Sequence, residues 1–187
     1  MESFQIVVQA VKELSETLSK VDKTEVTKLV QAIRHSKRIF LTGAGRSRLM
    51  LQAFAMRLMH IGFQVYIVGE VTTPAFLAGD LLIAASASGE TKSILQTARK
   101  AKEYQGQVAV FSIFPESSLG ETADILVKIP AYTDKLPSSA ENKMGILPGG
   151  SMFEEAVLLL GDALIVELAS EQQIDTSKAF ANHANLE

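Results

Sequence analysis

Residues 81–91 read Leu81-Leu82-Ile83-Ala84-Ala85-Ser86-Ala87-Ser88-Gly89-Glu90-Thr91 and join an apolar run to a polar segment. The run 81–85 is typical of a buried strand, and a helical pattern follows Thr91, so the segment 86–91 is predicted to be the turn between them. A helix start offers unpaired backbone N–H groups and the positive end of the helix dipole, and short hydroxyl side chains add donors. The stretch therefore predicts a phosphate-binding turn.

A second turn of the same design lies earlier in the chain. Residues 38–42 are predicted to form a strand, and Gly43-Ala44-Gly45-Arg46-Ser47 is predicted to be the turn that leads into the next helix. Ser and Thr are also ordinary N-cap residues, and a Ser-Gly pair is an ordinary turn, so a single turn of this kind is more often structural. Two such turns in one small domain favour a phosphorylated ligand over helix caps alone.

Strand and helix patterns alternate along the chain after two N-terminal helices, which are predicted at 4–18 and, from a sequence resembling a capping box at Asp22, to residue 33. Strands are predicted at 38–42, 64–68, 80–85, 107–113 and 125–129, with helices at 48–61, 91–104 and 117–122. This alternation predicts an α/β fold, a three-layer α/β/α sandwich around a five-stranded parallel sheet. In such sheets ligands bind beyond the carboxyl ends of the strands, where both hydroxyl-bearing turns lie.

The segment 130–150 breaks the pattern with three prolines and three glycines, and it leads directly into a helix at 151–169. A loop of this length inside a compact domain is usually functional or mobile. Because no linker or repeat divides the chain, residues 1–187 are predicted to form a single domain. Its parts are N-terminal helices over 1–36 and an α/β core with a C-terminal tail over 37–187.

The composition excludes several classes of function. The 187 residues are 47% hydrophobic and 21% charged, which suits a globular domain. A net charge of −3, from 18 basic and 21 acidic residues, gives no field that would attract nucleic acid. The chain has no cysteine, no export signal and no apolar run near the ~20 residues of a membrane span. We therefore expect a soluble cytoplasmic protein that binds neither nucleic acid nor membrane.

Two helical segments, 49–59 and 156–166, are apolar on more sides than packing against one sheet face would use. A deep central helix in a monomer would have the same composition. However, a domain of this size is too small to enclose two helices completely. The pattern therefore favours a homo-oligomer.

The titratable candidates near the predicted site are six residues, each with an ordinary explanation when taken singly. Acidic side chains near helix starts are favourable through the helix dipole, an arginine is often a surface residue, and a histidine at a helix end suits capping. The candidates are Arg46, His60, Glu90, Glu154, Glu155 and His183. Among the histidines, His183 lies in a C-terminal tail, residues 180–187, whose apolar and amide side chains indicate a docked end.

Metal, nucleophilic-serine and dinucleotide chemistry are all disfavoured by the sequence. The chain has neither a His-x-x-x-His pair nor a Gly-x-Ser-x-Gly elbow. The segment 43–48 partly matches a dinucleotide-binding fingerprint, and Glu70 falls where a ribose-binding acid would lie. Arg48, however, occupies the third glycine position of that fingerprint, where a large side chain would obstruct the packing of helix against strand.

Taken together, these motifs resemble the SIS family of sugar-phosphate isomerase and binding domains, and within it the 6-phospho-3-hexuloisomerases. The resemblance runs from the first helix to the last residue and depends on the Ser-x-Ser-Gly-x-Thr pattern at 86–91 and the parallel layout. It also depends on segments 45–47, 54–60, 68–70, 149–154 and 183–187. Two departures are Arg48, where the family pattern has glycine, and Gly149, where it has methionine. The resemblance implies a flavodoxin-type topology.

The resemblance also implies an activity, the cofactor-free isomerisation of D-arabino-3-hexulose 6-phosphate, a phosphorylated ketohexose, to fructose 6-phosphate in the ribulose monophosphate route of formaldehyde fixation. A cis-enediol would span C2 and C3, with Glu154 as the base and His183, from a neighbouring subunit, or else His60 assisting. The phosphate would be held by Ser47, Ser86, Ser88 and Thr91 with the N–H groups near Gly45 and Gly89, while Arg46 and Glu90 would orient the sugar. A homotetramer is expected.

Two alternatives share most of these motifs. One is an isomerase for a pentose phosphate such as arabinose 5-phosphate. Only substrate trials or the shape of the pocket would distinguish this enzyme from an isomerase for hexulose 6-phosphate. The other is a non-catalytic sugar-phosphate sensor, which would keep the hydroxyl turns but need no base.

Overall fold

The computed structural model describes residues 2–139, 142, 144–171, 182, 183 and 185. Every predicted helix and strand is present, and the shifts at their ends are small. In chain order the elements are α1 (Ser3–Leu18), α2 (Lys23–His35), β1 (Ile39–Gly43), α3 (Gly45–His60), β2 (Val65–Ile67), β3 (Leu81–Ala85), α4 (Lys92–Glu103), β4 (Gln107–Ser112), α5 (Ser118–Thr122), β5 (Ile125–Lys128) and α6 (Ser151–Glu171).

The start of α3 is the one clear difference from the sequence prediction. The helix begins at Gly45 rather than at Arg48, so that Arg46 and Ser47 belong to its first turn instead of to a separate loop. Gly45 has a φ of +56°, which glycine adopts at little cost and which lets the chain turn sharply out of β1. Apolar periodicity could not detect this start, because the first turn contains no apolar side chain.

The five strands form one parallel sheet in the order β2-β1-β3-β4-β5. This result confirms the predicted flavodoxin-type topology. In this topology the strand order reverses between β1 and β3, and ligands bind in the crevice at that point. Both hydroxyl-bearing turns, which follow β1 and β3, therefore lie side by side at the switch point.

The sheet is covered on both faces, as its apolar strands require. Because side chains alternate along a strand, Leu41 and Ile83 face one layer of helices while Phe40 and Leu82 face the other. The first layer contains α2, α3 and α6, with α1 packed on α6. The second layer contains α4 and α5. The core thus has two parts, one on each side of the sheet.

Two helices of the first layer, α3 and α6, pack closely against each other. Gly161 of α6 lies against Phe54 of α3, and a Cβ built at Gly161 would stand 3.2 Å from the Cδ2 atom of that ring. This spacing is tighter than ordinary van der Waals contact, so the absence of a side chain at residue 161 allows the two helices to approach.

The second N-terminal helix, α2, is attached to the sheet by a polar contact. Asp22 caps α2, since its carboxylate accepts a hydrogen bond from the Thr24 N–H at 2.6 Å. Glu25 does not complete the expected capping box. Its carboxylate instead accepts a hydrogen bond from the backbone N–H of Lys128 in β5 at 2.9 Å.

Several large apolar side chains of α1, α3 and α6 remain exposed, among them Phe4, Val11, Leu49, Leu159 and Val166. These positions include the surplus apolar faces noted in the sequence. Within the described residues, no helix combines the length and the apolar character that crossing a bilayer requires.

Candidate active site

A cavity of about 250 Å³ opens at the carboxyl edge of the sheet, between the two hydroxyl-bearing turns and the start of α6. The starts of α3 and α6, the turn after β3 and the loop after β5 all contribute to its walls. Its described lining comprises Ala44, Gly45, Arg46, Ser47, Ala85, Ser86, Ala87, Thr91, Ile94, Thr133, Asp134, Lys135, Gly150 and Glu154. The cavity therefore brings together the two turns and Glu154, as the sequence predicts.

Two of the helices that begin at this cavity, α3 and α4, have open N-terminal ends. The N-cap residues of α3 and α4 are Ala44 and Thr91, and neither has a side-chain capping hydrogen bond. By contrast, Asp22 caps α2 and Ser117 caps α5. First-turn N–H groups with no side-chain cap can donate to an anion, and the positive end of each helix dipole favours its charge.

Two hydroxyl groups of the second turn, those of Ser86 and Thr91, line the cavity and are not used as caps. The Oγ atom of Ser86 and the Oγ1 atom of Thr91 lie 3.1 Å apart, and both residues line the cavity. Ser47, which is buried, adds a third hydroxyl from the first turn of α3. The alternative that these hydroxyls serve only as helix caps is therefore not supported.

Gly89 fixes the shape of the second turn from outside the cavity. Its φ is +67°, and its carbonyl oxygen accepts a hydrogen bond from the Leu119 N–H at 3.1 Å. A Cβ at residue 89 would overlap the side chain of Ser117. Glycine is thus required here both by backbone conformation and by the close approach of α5.

Glu90 is directed toward α5 and does not line the cavity. Its Oε1 accepts from the Ser118 N–H at 2.7 Å and its Oε2 accepts from the Ser118 Oγ at 2.9 Å. These hydrogen bonds, the backbone one first, lower the pKa of Glu90 below 4.5. The sequence led us to expect that Glu90 orients the sugar, whereas in the structure its carboxylate is bound to Ser118. Ser88 also lies outside the described lining, buried beneath the turn with its Oγ accepting from the Glu90 N–H at 3.3 Å.

Arg46 and Glu154 form an ion pair across the cavity, with 2.5 Å between Nε and Oε2. A second nitrogen of Arg46 lies 3.4 Å from Oε1 of Glu155. The Glu154 side chain is 14% exposed, whereas that of Glu155 is 42% exposed. The hydrogen bond and charge of Glu154 raise the pKa of Arg46, so this guanidinium stays cationic.

The loop after β5 supplies three lining residues that the sequence did not identify, Thr133, Asp134 and Lys135. Their turn is organised by Asn142, a buried residue that hydrogen bonds to the backbone of Thr133 and of two further residues. In the sequence, the long loop with three prolines before Glu154 indicated that this region could be functional. It did not indicate which of its side chains would face the cavity.

The two candidate histidines lie together, away from this cavity. The rings of His60 and His183 stack with their centroids 5.3 Å apart, and Asn182 donates to the His60 carbonyl oxygen at 3.0 Å. Burial, then the charges of His183 and Arg57, lower the pKa of His60 below 6.5. His60 ends α3 whereas the cavity lies at its start, and a 16-residue helix spans about 24 Å. Apart from Asn182, His183 and Asn185, the tail residues 180–187 lie outside the described part of the chain.

Arg48, which departs from the family pattern, forms an ion pair with Glu70, with 2.9 Å between the guanidinium nitrogen and Oε1. Glu70, the acid that would bind a ribose in a dinucleotide site, is therefore paired with Arg48, which replaces the third glycine of that fingerprint. Among the described residues, no group of three or more His, Asp or Glu side chains could hold a metal ion.

The fold and the site together define a class of protein. It is a doubly wound α/β domain in which two open helix starts and a carboxylate meet at one cavity. The SIS domain matches residues 32–142, and the chain belongs to this family. A relative from Bacillus subtilis (strain 168) named 3-hexulose-6-phosphate isomerase is 44% identical over 187 residues, which cover 100% of both proteins.

Two further comparisons agree with this family membership. A protein of the same name from Mycobacterium gastri is 38% identical over 175 residues, which cover 94% of this chain and 86% of the relative. A crystal structure from Methanococcus jannaschii, for which a molecular function of 3-hexulose-6-phosphate isomerase was inferred, matches with a TM-score of 0.80. That match has 34% identity and covers 100% of both chains.

Proposed function

We propose that this protein is a cofactor-independent isomerase that converts D-arabino-3-hexulose 6-phosphate to D-fructose 6-phosphate. The observation that carries the proposal is the position of Glu154, whose carboxylate lines the same cavity as the open starts of α3 and α4. The relatives named 3-hexulose-6-phosphate isomerase, which match along nearly the whole chain, support the choice of substrate. This reaction belongs to formaldehyde fixation by the ribulose monophosphate route, and the proposal includes a cytoplasmic location.

The phosphate of the substrate is bound at the two turns. Ser47, Ser86 and Thr91 supply hydroxyl groups to the cavity, and the helix starts at Gly45 and Thr91 supply backbone N–H groups. Ser88 and Gly89 act from behind by holding the turn in shape, since neither is among the described lining residues. With the phosphate fixed, the sugar carbons extend along the cavity toward Glu154.

Glu154 acts as the base and then as the acid on one face of the sugar. Its carboxylate takes the proton from C2, the C3 carbonyl oxygen gains a proton, and a cis-enediol forms across C2 and C3. Return of the proton from the Glu154 carboxyl to C3, with loss of the proton on the C2 hydroxyl, leaves the carbonyl at C2. A base in correct geometry contributes roughly 10²–10⁴-fold to the rate. No electron acceptor is required, because the oxidation of C2 balances the reduction of C3.

Arg46 positions this base, since its guanidinium holds the Glu154 carboxylate at 2.5 Å and remains cationic. Glu90 contributes indirectly, by fixing the phosphate turn against Ser118. The proposed role of Glu90 is thus support of the turn rather than contact with the sugar.

The histidines fit the proposal only in an assembly of several subunits. His60 and His183 lie at the far end of α3 from their own subunit's cavity, so assistance in ring opening requires the cavity of a neighbouring copy. Exposed apolar side chains on α1 and α6, such as Val11 and Val166, support a homo-oligomer. A tetramer in which His183, or else His60, reaches a neighbouring site is part of the proposal.

A coupled assay that supplies 3-hexulose 6-phosphate and follows fructose 6-phosphate tests this function. The parent protein should turn over this substrate far faster than arabinose 5-phosphate. Glu154→Gln should lower kcat by about 10²–10⁴-fold while inorganic phosphate still binds. Glu155→Gln, which changes the more exposed neighbouring carboxylate, is the matched control and should retain most activity. Full activity of the Glu154→Gln variant would exclude this residue as the base.

A further inference from the structure

The active-site cavity has two cationic side chains among its described lining residues, Arg46 and Lys135. Arg46 is already paired with Glu154 and Glu155. Lys135, in contrast, forms no ion pair within the described part of the chain, and its side chain is exposed at the cavity. Lys135 is therefore the cation of this cavity that is available to a ligand.

The exposed side chain of Lys135 stands on a firmly held backbone. Its N–H donates to Oγ1 of the buried Thr133 at 3.3 Å. The Asn142 Oδ1 accepts from the Thr133 N–H at 2.8 Å, and the two hydrogens of its Nδ2 are shared among the carbonyl oxygens of Thr133, Leu136 and Pro137, at 2.9, 3.1 and 3.0 Å. A buried amide with all these partners fixes the turn on both sides of Lys135.

The phosphate group of the substrate carries two negative charges, and the two turns offer it no charged side chain that is not already paired. Hydroxyl groups and backbone N–H groups are neutral donors, and the one other cation is neutralised by the carboxylates it binds. The remaining acid of the lining, Asp134, lies toward Gly149, with its Oδ2 3.5 Å from a Cβ built there. A positive side chain would add a charge-assisted hydrogen bond to those of the helix starts, and charge-assisted hydrogen bonds are the strong ones.

We propose that Lys135 is a phosphate-binding residue, whose ammonium group pairs with the phosphate of the bound sugar. The inference rests on the proposed function and deepens it by naming the counter-charge of the substrate. It also assigns Asn142 as a positioning residue, which holds the turn that presents this lysine.

The test compares Lys135→Met, Lys135→Arg and the control Lys100→Met, which removes a lysine at a groove between α4 and the segment 73–77. Lys135→Met should raise both the dissociation constant of inorganic phosphate and the KM of the sugar phosphate by about 10-fold or more, with kcat within about 3-fold of the parent. Lys135→Arg should stay within about 3-fold, and Lys100→Met should equal the parent. Raised ionic strength should weaken phosphate binding to the parent more than to Lys135→Met.

Phosphate binding separates this inference from the proposed function. If the parent protein does not isomerise 3-hexulose 6-phosphate but Lys135→Met still loses phosphate affinity, the proposed function fails and Lys135 remains a phosphate ligand. If the parent turns over the substrate and Lys135→Met binds inorganic phosphate as tightly as the parent, the inference about Lys135 is overturned. A variant with lowered kcat but unchanged phosphate affinity would overturn it as well.

Discussion

Arg46 and Glu154 form an ion pair of 2.5 Å although 108 residues separate them in the sequence. The pair joins the first turn of α3, which follows one hydroxyl-bearing turn, to the first turn of α6, which carries the proposed base. The orientation of the proposed base is therefore tied directly to the cavity wall that is proposed to bind phosphate. An enediol mechanism depends on such alignment, because small displacements of a reacting group are costly in rate.

Replacement of Arg46 by methionine should release the Glu154 side chain. We expect kcat to fall by about 10- to 100-fold, because the base loses its fixed orientation. The inhibition constant of inorganic phosphate should change by less than about 3-fold, since the hydroxyl and N–H donors remain. Steady-state kinetics with phosphate as an inhibitor would measure both quantities.

The control for this variant is Arg48→Met, which removes a neighbouring arginine whose ion pair with Glu70 lies outside the cavity lining. This control should behave like the parent. If Arg46→Met instead lost phosphate affinity and kept its kcat, Arg46 would be a phosphate ligand and not a positioning residue.

Alanine at residue 89 should destabilise the protein more than alanine at another glycine with positive φ. The new Cβ would overlap Ser117, and the backbone would be strained at a φ of +67°. We expect a loss of about 2–5 kcal/mol in the free energy of unfolding. Gly62→Ala, where φ is +96° and nothing lies within 4 Å of the new Cβ, should cost only about 1–2 kcal/mol. Urea denaturation would compare them, and equal losses would show that the approach of α5 is unimportant.

Glu90→Gln should weaken the binding of inorganic phosphate and of the sugar phosphate by the same factor, about two- to ten-fold. The reason is that Glu90 bonds to Ser118 behind the turn, so that its loss loosens the turn for any phosphate ligand. A variant that lost affinity for the sugar phosphate alone would place Glu90 against the sugar after all. Binding titrations with both ligands would decide between these outcomes.

The stability of the protein should decline on the acid side because of His60. Burial, and then the interactions with His183 and Arg57, lower the pKa of His60 below its ordinary value, so the unfolded chain binds a proton more readily than the folded one. The contribution of this group to the free energy of unfolding is fully present above the pKa that histidine has in the unfolded chain, about 6.5. It falls as the pH decreases from there toward the lower pKa of His60 in the folded protein. His60→Gln should flatten this decline, measured by urea denaturation at several pH values. An unchanged slope would contradict the assignment.

The fold could be predicted from the sequence because each strand and helix had its own periodic signal. Near-continuous apolar runs such as 81–85 predict strands covered on both faces, and the sheet places Leu82 and Ile83 in opposite halves of the core. The start of α3 escaped this reasoning because Gly45 and Arg46 carry no apolar signal.

The candidate site could be predicted only in part, for a similar reason. The two turns and Glu154 lie next to recognisable element ends, and topology brings element ends to one edge. Lys135 and Asn142 lie in an irregular loop, whose course depends on specific hydrogen bonds that no periodic pattern describes. Glu90 was correctly placed in its turn, but the sequence could not indicate that its carboxylate faces α5.

Gly161 lies about two turns into α6 from Glu154, and its neighbour Phe54 lies about as far into α3 from Arg46. The contact between Gly161 and Phe54 therefore sets how closely α3 and α6 approach, and these helices carry Arg46 and Glu154. A methyl group added at residue 161 would require Phe54 to move by a few tenths of an ångström, so a change far from the cavity bears on the packing of the two helices that carry Arg46 and Glu154.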